Sequence, residues 1–337
     1  MGAKSWRGPL VRTVAFLLAL LAATSLLGAY LMPHSNRYLT GYTAGGILGE
    51  DFDTIDVLVL GDSNAAQGIA PMEWYSSRGI TGYTYGVAWF SVYSAYYRLR
   101  KLYDEQSPKV VVLGTDILYS KKGNETYVQN AVGDILDELF PLVRFHDNWK
   151  QLSARNLLEE HDYTWRDVNK GFTPLTEIAP YSGGNYMYEN DTAPINLLVL
   201  FYLNRLVDLC TEHGSQLLFV TVPAGTSWSL PRHNGVAAYA AEHDIPYIDY
   251  NLDPAAIGFD WNTDTPDGGS HLNVSGAVKV SDDLGRYLAE NYALPDHRGT
   301  DGYADWDADA VRYRASRAEW LKTCADNAAA QTAAKTG

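Results

Sequence analysis

The sequence predicts an α/β domain, a parallel sheet with helices on both faces, preceded by one membrane-spanning helix. Three observations predict it. Short apolar runs at 55–60, 110–113 and 216–222 have the length and β-branched content of buried strands. Longer helical patterns separate them, and strands that alternate with helices build parallel sheets. Residues 13–32 carry no charge, and twenty residues of helix span about 30 Å, the hydrocarbon thickness of a bilayer.

In chain order, Lys4, Arg7 and Arg12 precede the apolar segment. Basic residues there predict a cytoplasmic N-terminus (1–12), a signal anchor (13–32) and an extracytoplasmic body. The alternative is secretion after signal cleavage, but cleaved signals have a shorter apolar core and a small-x-small site. Neither 22–24 nor 27–29 fits such a site well. A polar, Gly-rich linker is expected over 33–50, and the α/β domain over 51–295.

Within that domain, strand 55–60 ends at Gly61, which permits a tight turn, and Asp62 or Ser63 caps a helix beginning near Ala65. A second strand at 83–86 ends at Gly86. Helix 91–105 follows, with Tyr96, Leu99 and Leu102 on one face, then strand 110–113. Residues 117–193 interrupt the alternation with Trp149, Tyr163, Trp165, Tyr181, Tyr186 and Tyr188, and read as a lid or as a packed excursion. Helix 195–213, strand 216–222, helix 236–243 and a short strand at 246–249 resume it. The loop 223–234 carries Trp228, Arg232, His233 and Asn234 and is a candidate pocket wall, with Trp228 and His233 as pocket residues. After a Gly-rich loop, Val274, Ala277, Val278, Ser281, Leu284 and Leu288 repeat at helical spacing, capped by Asn273 or Ser275. The tail 296–337 holds a helix at 306–330, whose Ala310, Tyr313, Trp320, Leu321 and Cys324 form a docking face.

Composition narrows the function. A net charge of −14 argues against a nucleic-acid partner, which needs a basic surface. The two cysteines, Cys210 and Cys324, have no zinc-ligand spacing, and a disulfide between them stays open. His146, His161, His213, His233 and His243 are scattered, so no metal is expected. Gly61-Asp62-Ser63-Asn64 lacks the glycine spacing of a dinucleotide or phosphate loop, and no cofactor is expected.

The chemistry is carried by two motifs. Ser63 stands at a strand-to-helix corner, beside backbone N–H groups that lack helical partners. His271 lies late in the chain, in Asp267-Gly268-Gly269-Ser270-His271. A serine hydroxyl needs a base to become nucleophilic, and a neutral imidazole is that base at pH 7. A carboxylate must then orient the ring, and serine, aspartate, histidine is one chain order that hydrolases use.

These motifs resemble the SGNH/GDSL hydrolase superfamily over residues 51–295. The resemblance implies a flavodoxin-like three-layer α/β/α fold, Ser63 as nucleophile and His271 as base. It also implies oxyanion donors from the Ser63 N–H, a glycine (here Gly86) and an asparagine of a third block. Two departures stand out. The family's Asp lies three residues before His, where this chain has Gly268, so Asp267 is the preferred orienter and Asp264 the next. In the third block Gly114-Thr115-Asp116 puts Asp116 where the asparagine belongs, and an ionised carboxylate cannot donate a hydrogen bond. Thr115 or Asn64 is the candidate replacement donor, and Asp116 then becomes a pocket residue. The expected function is an extracytoplasmic serine esterase, or an O-acyltransferase, acting on ester-linked acyl groups of envelope glycans. The alternative is a non-catalytic glycan-binding or envelope-assembly protein on the same fold.

Overall fold

The computed structural model describes residues 7–39, 43–119, 129, 132–133, 136, 140–151 and 160–336. Lys4, Gly337 and much of the expected insertion between 120 and 159 lie outside them.

Five strands form one parallel sheet in the order β2-β1-β3-β4-β5: β1 (Val57–Gly61), β2 (Gly82–Gly86), β3 (Val110–Gly114), β4 (Gln216–Thr221) and β5 (Tyr247–Asp249). This is the flavodoxin-like order, whose switch point falls where β1 lies between β2 and β3. β1, β2 and β3 are buried throughout, as a parallel sheet covered on both faces requires.

On one face lie α2 (Ser63–Gly68), α3 (Pro71–Arg78) and α8 (Val274–Asn291), with α9 (Ala304–Thr336) packed outside them. On the other lie α4 (Val92–Leu102), α6 (Leu197–Glu212) and α7 (Leu230–Glu242). Ser281 ties the first layer together: its Oγ accepts the Ala70 N–H at 2.8 Å and its carbonyl accepts Trp74 Nε1 at 2.7 Å. The tail helix docks through Trp306, Ala310, Tyr313 and Cys324, all buried. Cys210 and Cys324 are both free thiols.

The expected linker is different from its prediction. Two 3-10 turns, Asn36–Tyr38 and Ala44–Gly49, pack onto the body, with Ala44 and Ile47 buried. A Cβ on Gly46 would meet the Tyr83 hydroxyl at 2.5 Å, so the glycines there permit close approach rather than flexibility. The linker is anchored by Lys170. That ammonium is fully buried and reaches Glu50 at 2.9 Å and Asp309 at 2.8 Å, over the Trp306 ring.

At the N-terminus, α1 (Arg7–Leu31) contains an apolar span, Gly8–Leu31, with mean hydropathy 2.2. It packs against the short helix α5 (Pro141–Phe145), while Leu10, Phe16, Leu18 and Leu26 stay exposed.

Candidate active site

The β1–α2 corner presents Ser63. Asp62, rather than Ser63, caps α2: its carboxylate accepts the Asn64 N–H at 2.9 Å. That leaves the Ser63 hydroxyl for other work, and its Oγ lies 2.9 Å from His271 Nε2. His271 Nδ1 in turn meets Asp267 Oδ2 at 2.5 Å. The side chains of His271 and Asp267 are 26% and 39% exposed, so the relay opens directly to solvent. With Nδ1–H donating to Asp267, Nε2 keeps its lone pair for the serine proton.

Asp264 does a different job. It is wholly buried, accepts Lys279 Nζ at 2.6 Å and the Asp260 N–H at 2.8 Å, and takes the Thr263 hydroxyl. None of these bonds joins it to His271.

Two of the expected oxyanion donors, Thr115 and Gly86, make contacts of their own. Thr115 is fully buried and its hydroxyl is shared with Thr221, which bonds the Tyr247 hydroxyl at 2.8 Å. This is a hydroxyl chain beneath the site. Gly86 pairs with Gly61, and the Val87 N–H donates to the Gly61 carbonyl while the Thr84 N–H goes to Lys170. Strand alternation therefore turns the Gly86 N–H away from β1. Its missing side chain has a steric reason: a Cβ would lie 2.6–2.8 Å from Ala66 of α2.

Asn64 and Asp116 meet each other. Asn64 Nδ2 donates to Asp116 Oδ1 at 3.0 Å. Burial, and the Asp62 carboxylate after it, push the Asp116 carboxyl up to about 8, against the Asn64 hydrogen bond and Arg232.

Of the pocket candidates, Trp228 is buried and donates Nε1 to Asp249 at 2.9 Å, so it braces the site rather than lining it. His233 Nδ1 meets the same Asp249 oxygen at 2.8 Å, with its ring stacked on Tyr247. Asp249 also accepts both N–H groups of Asn251, at 2.8 and 2.9 Å.

Two further residues, Asp249 and Tyr181, stand at the site without a motif to mark them. Asp249 is the hub just described; its signal was a carboxylate at a strand's carboxyl end. Tyr181, from the insertion, lies against Gly225 and Gly269, where a Cβ would sit 3.0 and 2.6 Å from its ring. It thus walls the His271 loop. Trp89, 69% exposed, has φ +61 in the Val87–Phe90 turn after β2, a backbone state that non-glycine residues rarely adopt. A cavity of about 340 Å³, walled by Ile47, Tyr85, Phe90, Tyr97 and Arg98 among others, contains none of Ser63, His271 and Asp267.

No protein-family model matches this chain, and no curated protein does. Solved structures do. A lipase/acylhydrolase from Enterococcus faecalis is similar at 12% identity over 72% of this chain and 99% of its own, with TM-score 0.39. A GDSL-like lipase from Bacteroides thetaiotaomicron is similar at 12% identity over 69% and 87%, with TM-score 0.36. A family 3 carbohydrate esterase from Clostridium thermocellum is similar at 14% identity over 70% and 98%, with TM-score 0.35.

Proposed function

We propose that this chain is a serine esterase of the SGNH/GDSL type, with Ser63 as nucleophile, His271 as base and Asp267 as its orienter. The observation that carries the reading is the unbroken relay Ser63 Oγ–His271 Nε2, His271 Nδ1–Asp267 Oδ2, at 2.9 and 2.5 Å. It rests on this geometry and on the two motifs rather than on the distant structural likenesses.

In the proposed reaction Ser63 Oγ attacks the ester carbonyl as its proton passes to His271 Nε2. Asp267 stabilises the resulting imidazolium. The Ser63 N–H, at the first turn of α2, points its donor and the helix dipole toward the developing oxyanion. Collapse breaks the ester C–O bond, and His271 returns the proton to the leaving alcohol. His271 then deprotonates a water or a sugar hydroxyl, which takes the acyl group as the bond to Ser63 breaks and His271 returns that proton to Oγ. The open relay suits a bulky substrate, and acylated envelope glycans are the class proposed. In the same reading α1 holds the body at the outer face of a membrane.

A fluorophosphonate probe tests the nucleophile. Labelling of the wild-type chain that vanishes in Ser63→Ala supports the proposal; a folded wild type that stays unlabelled defeats it. For topology, a protease added to spheroplasts should digest the body and spare residues 1–12; protection of the body would reverse the orientation.

A further inference from the structure

We propose that Asp116 serves the site as a carboxylic acid whose hydroxyl hydrogen is the second donor to the oxyanion, with Asn64 holding it in place. This rests on the reading of Ser63 as nucleophile.

The sheet puts Asp116 beside the nucleophile. β1 and β3 run in register through Leu60 and Leu113, and the Gly61 and Gly114 backbones then pass in close contact. Two residues further on, the chains leave adjacent strand ends at the same level, one with Ser63 and the other with Asp116. Asn64, directly after the nucleophile, binds two carboxyl groups at once. Its backbone N–H goes to Asp62 Oδ1 at 2.9 Å and its Nδ2 to Asp116 Oδ1 at 3.0 Å. Acceptance from Asn64 fixes Oδ1 as the carbonyl oxygen of a neutral acid and leaves Oδ2 to carry the hydrogen.

The surroundings favour that neutral form. Asp62 from the β1–α2 turn and Asp249 from β5 face Asp116 with like charge. The opposing groups are the Asn64 amide and Arg232 of α7, whose guanidinium is already engaged by the Ser227 carbonyl and the Tyr119 ring. Desolvation of the half-buried Asp116 raises the cost of ionising it, and the Asp62 carboxylate bound to the same residue, Asn64, adds to that cost. A protonated carboxyl supplies what the amide of an asparagine would supply, a hydrogen bond to the anion. No proton is transferred: the O–H stays on Asp116 and its hydrogen bond shortens as charge builds on the substrate oxygen. This donor switches off when Asp116 ionises, which an amide would not do.

The experiment is a pH–rate profile of kcat/KM for p-nitrophenyl acetate, corrected for uncatalysed hydrolysis, on the full chain and its Asp116→Asn and Asp116→Ala variants. Wild type should lose activity about tenfold per pH unit above about 8. Asp116→Asn should stay within about tenfold of wild type at pH 7 and remain flat to pH 9.5, because its amide donates at every pH. Asp116→Ala should fall about 10²–10³-fold below wild type at pH 7, with the gap narrowing above pH 8 and melting curves confirming a folded protein. A wild type labelled at Ser63 whose alkaline decline persists in Asp116→Asn overturns this inference alone. Asp116→Ala as active as wild type does the same. A folded wild type that no fluorophosphonate labels defeats the nucleophile reading, and this inference falls with it.

Discussion

Asp267 grips His271 at two places: Oδ1 accepts its backbone N–H at 3.0 Å, and Oδ2 meets its Nδ1 at 2.5 Å. Gly268 and Gly269, at φ +78 and +97, curl the loop so that a carboxylate four residues back reaches the ring. The extra residue relative to the Asp-x-x-His spacing is absorbed in two left-handed steps that glycine adopts without strain.

Asp267→Asn should therefore lower kcat by about 10²–10⁴-fold with little change in melting temperature, since it loses the anion that fixes the tautomer. Asp264→Asn should do the reverse. It breaks a buried pair with Lys279, costing about 3 kcal/mol of stability while sparing activity per folded molecule. Paired kinetics and thermal melts on both variants decide the matter; greater kinetic sensitivity at Asp264 would reassign the acid.

Asp62, the cap, and Ser63, the proposed nucleophile, are adjacent but separable. Ser63→Ala should abolish esterase turnover and leave stability within about 0.5 kcal/mol, as a substitution outside caps and core does. Asp62→Ala should cost about 1 kcal/mol through the lost N-cap, as read from chemical denaturation.

Asp116 also sets a pH dependence of stability. Between about pH 4 and pH 8 the folded chain holds a proton on Asp116 that the unfolded chain has released, so stability falls as pH rises through that window. Asp116→Asn does not titrate and keeps the acceptor for Asn64. Its melting temperature should exceed that of wild type by a few degrees at pH 8, and the gap should close by pH 4. A gap independent of pH would show that the carboxyl is ionised in the folded state.

Gly86→Ala should shift α2 and the nucleophile with it. The added methyl meets the Ala66 backbone, and such overpacking costs about 1–3 kcal/mol. We expect a lower melting temperature together with weaker fluorophosphonate labelling; unchanged labelling would mean that Ser63 is positioned independently of β2.

Much of the sheet was legible because its strands are buried on both faces and read as unbroken apolar runs. Ser63 and His271 were legible because each sits between a glycine-bearing turn and a helix. Other features depend on contacts remote in sequence. Helix α3 is only eight residues long, and its Pro71, Met72, Trp74 and Tyr75 are buried on several sides, which erases a helical stripe. Asp264 is engaged by Lys279, fifteen residues beyond it, a pairing that the loop's own spacing does not show. Thr115 follows a strand end in the sequence, but β4 and β5 bring Thr221 and Tyr247 to its hydroxyl chain. The packing of residues 44–48 follows from the smallness of their glycines, which in a bare sequence looks like a flexible tether.

The Lys170 ammonium, held between Glu50 and Asp309, bears on how the molecule is assembled. Its partners are 120 and 139 residues away in opposite directions along the chain. A chain ending at residue 295 would enclose that cation with only one of its two carboxylates and leave bare the surface on which Trp306 sits. The buried contacts of Lys170 thus reach beyond residues 51–295, the span of the sequence resemblance, on both sides. Trp306 and Asp309, in the first turns of α9, close the seam between the Glu50 loop and the Lys170 segment, so the tail helix supplies part of the interior of the body.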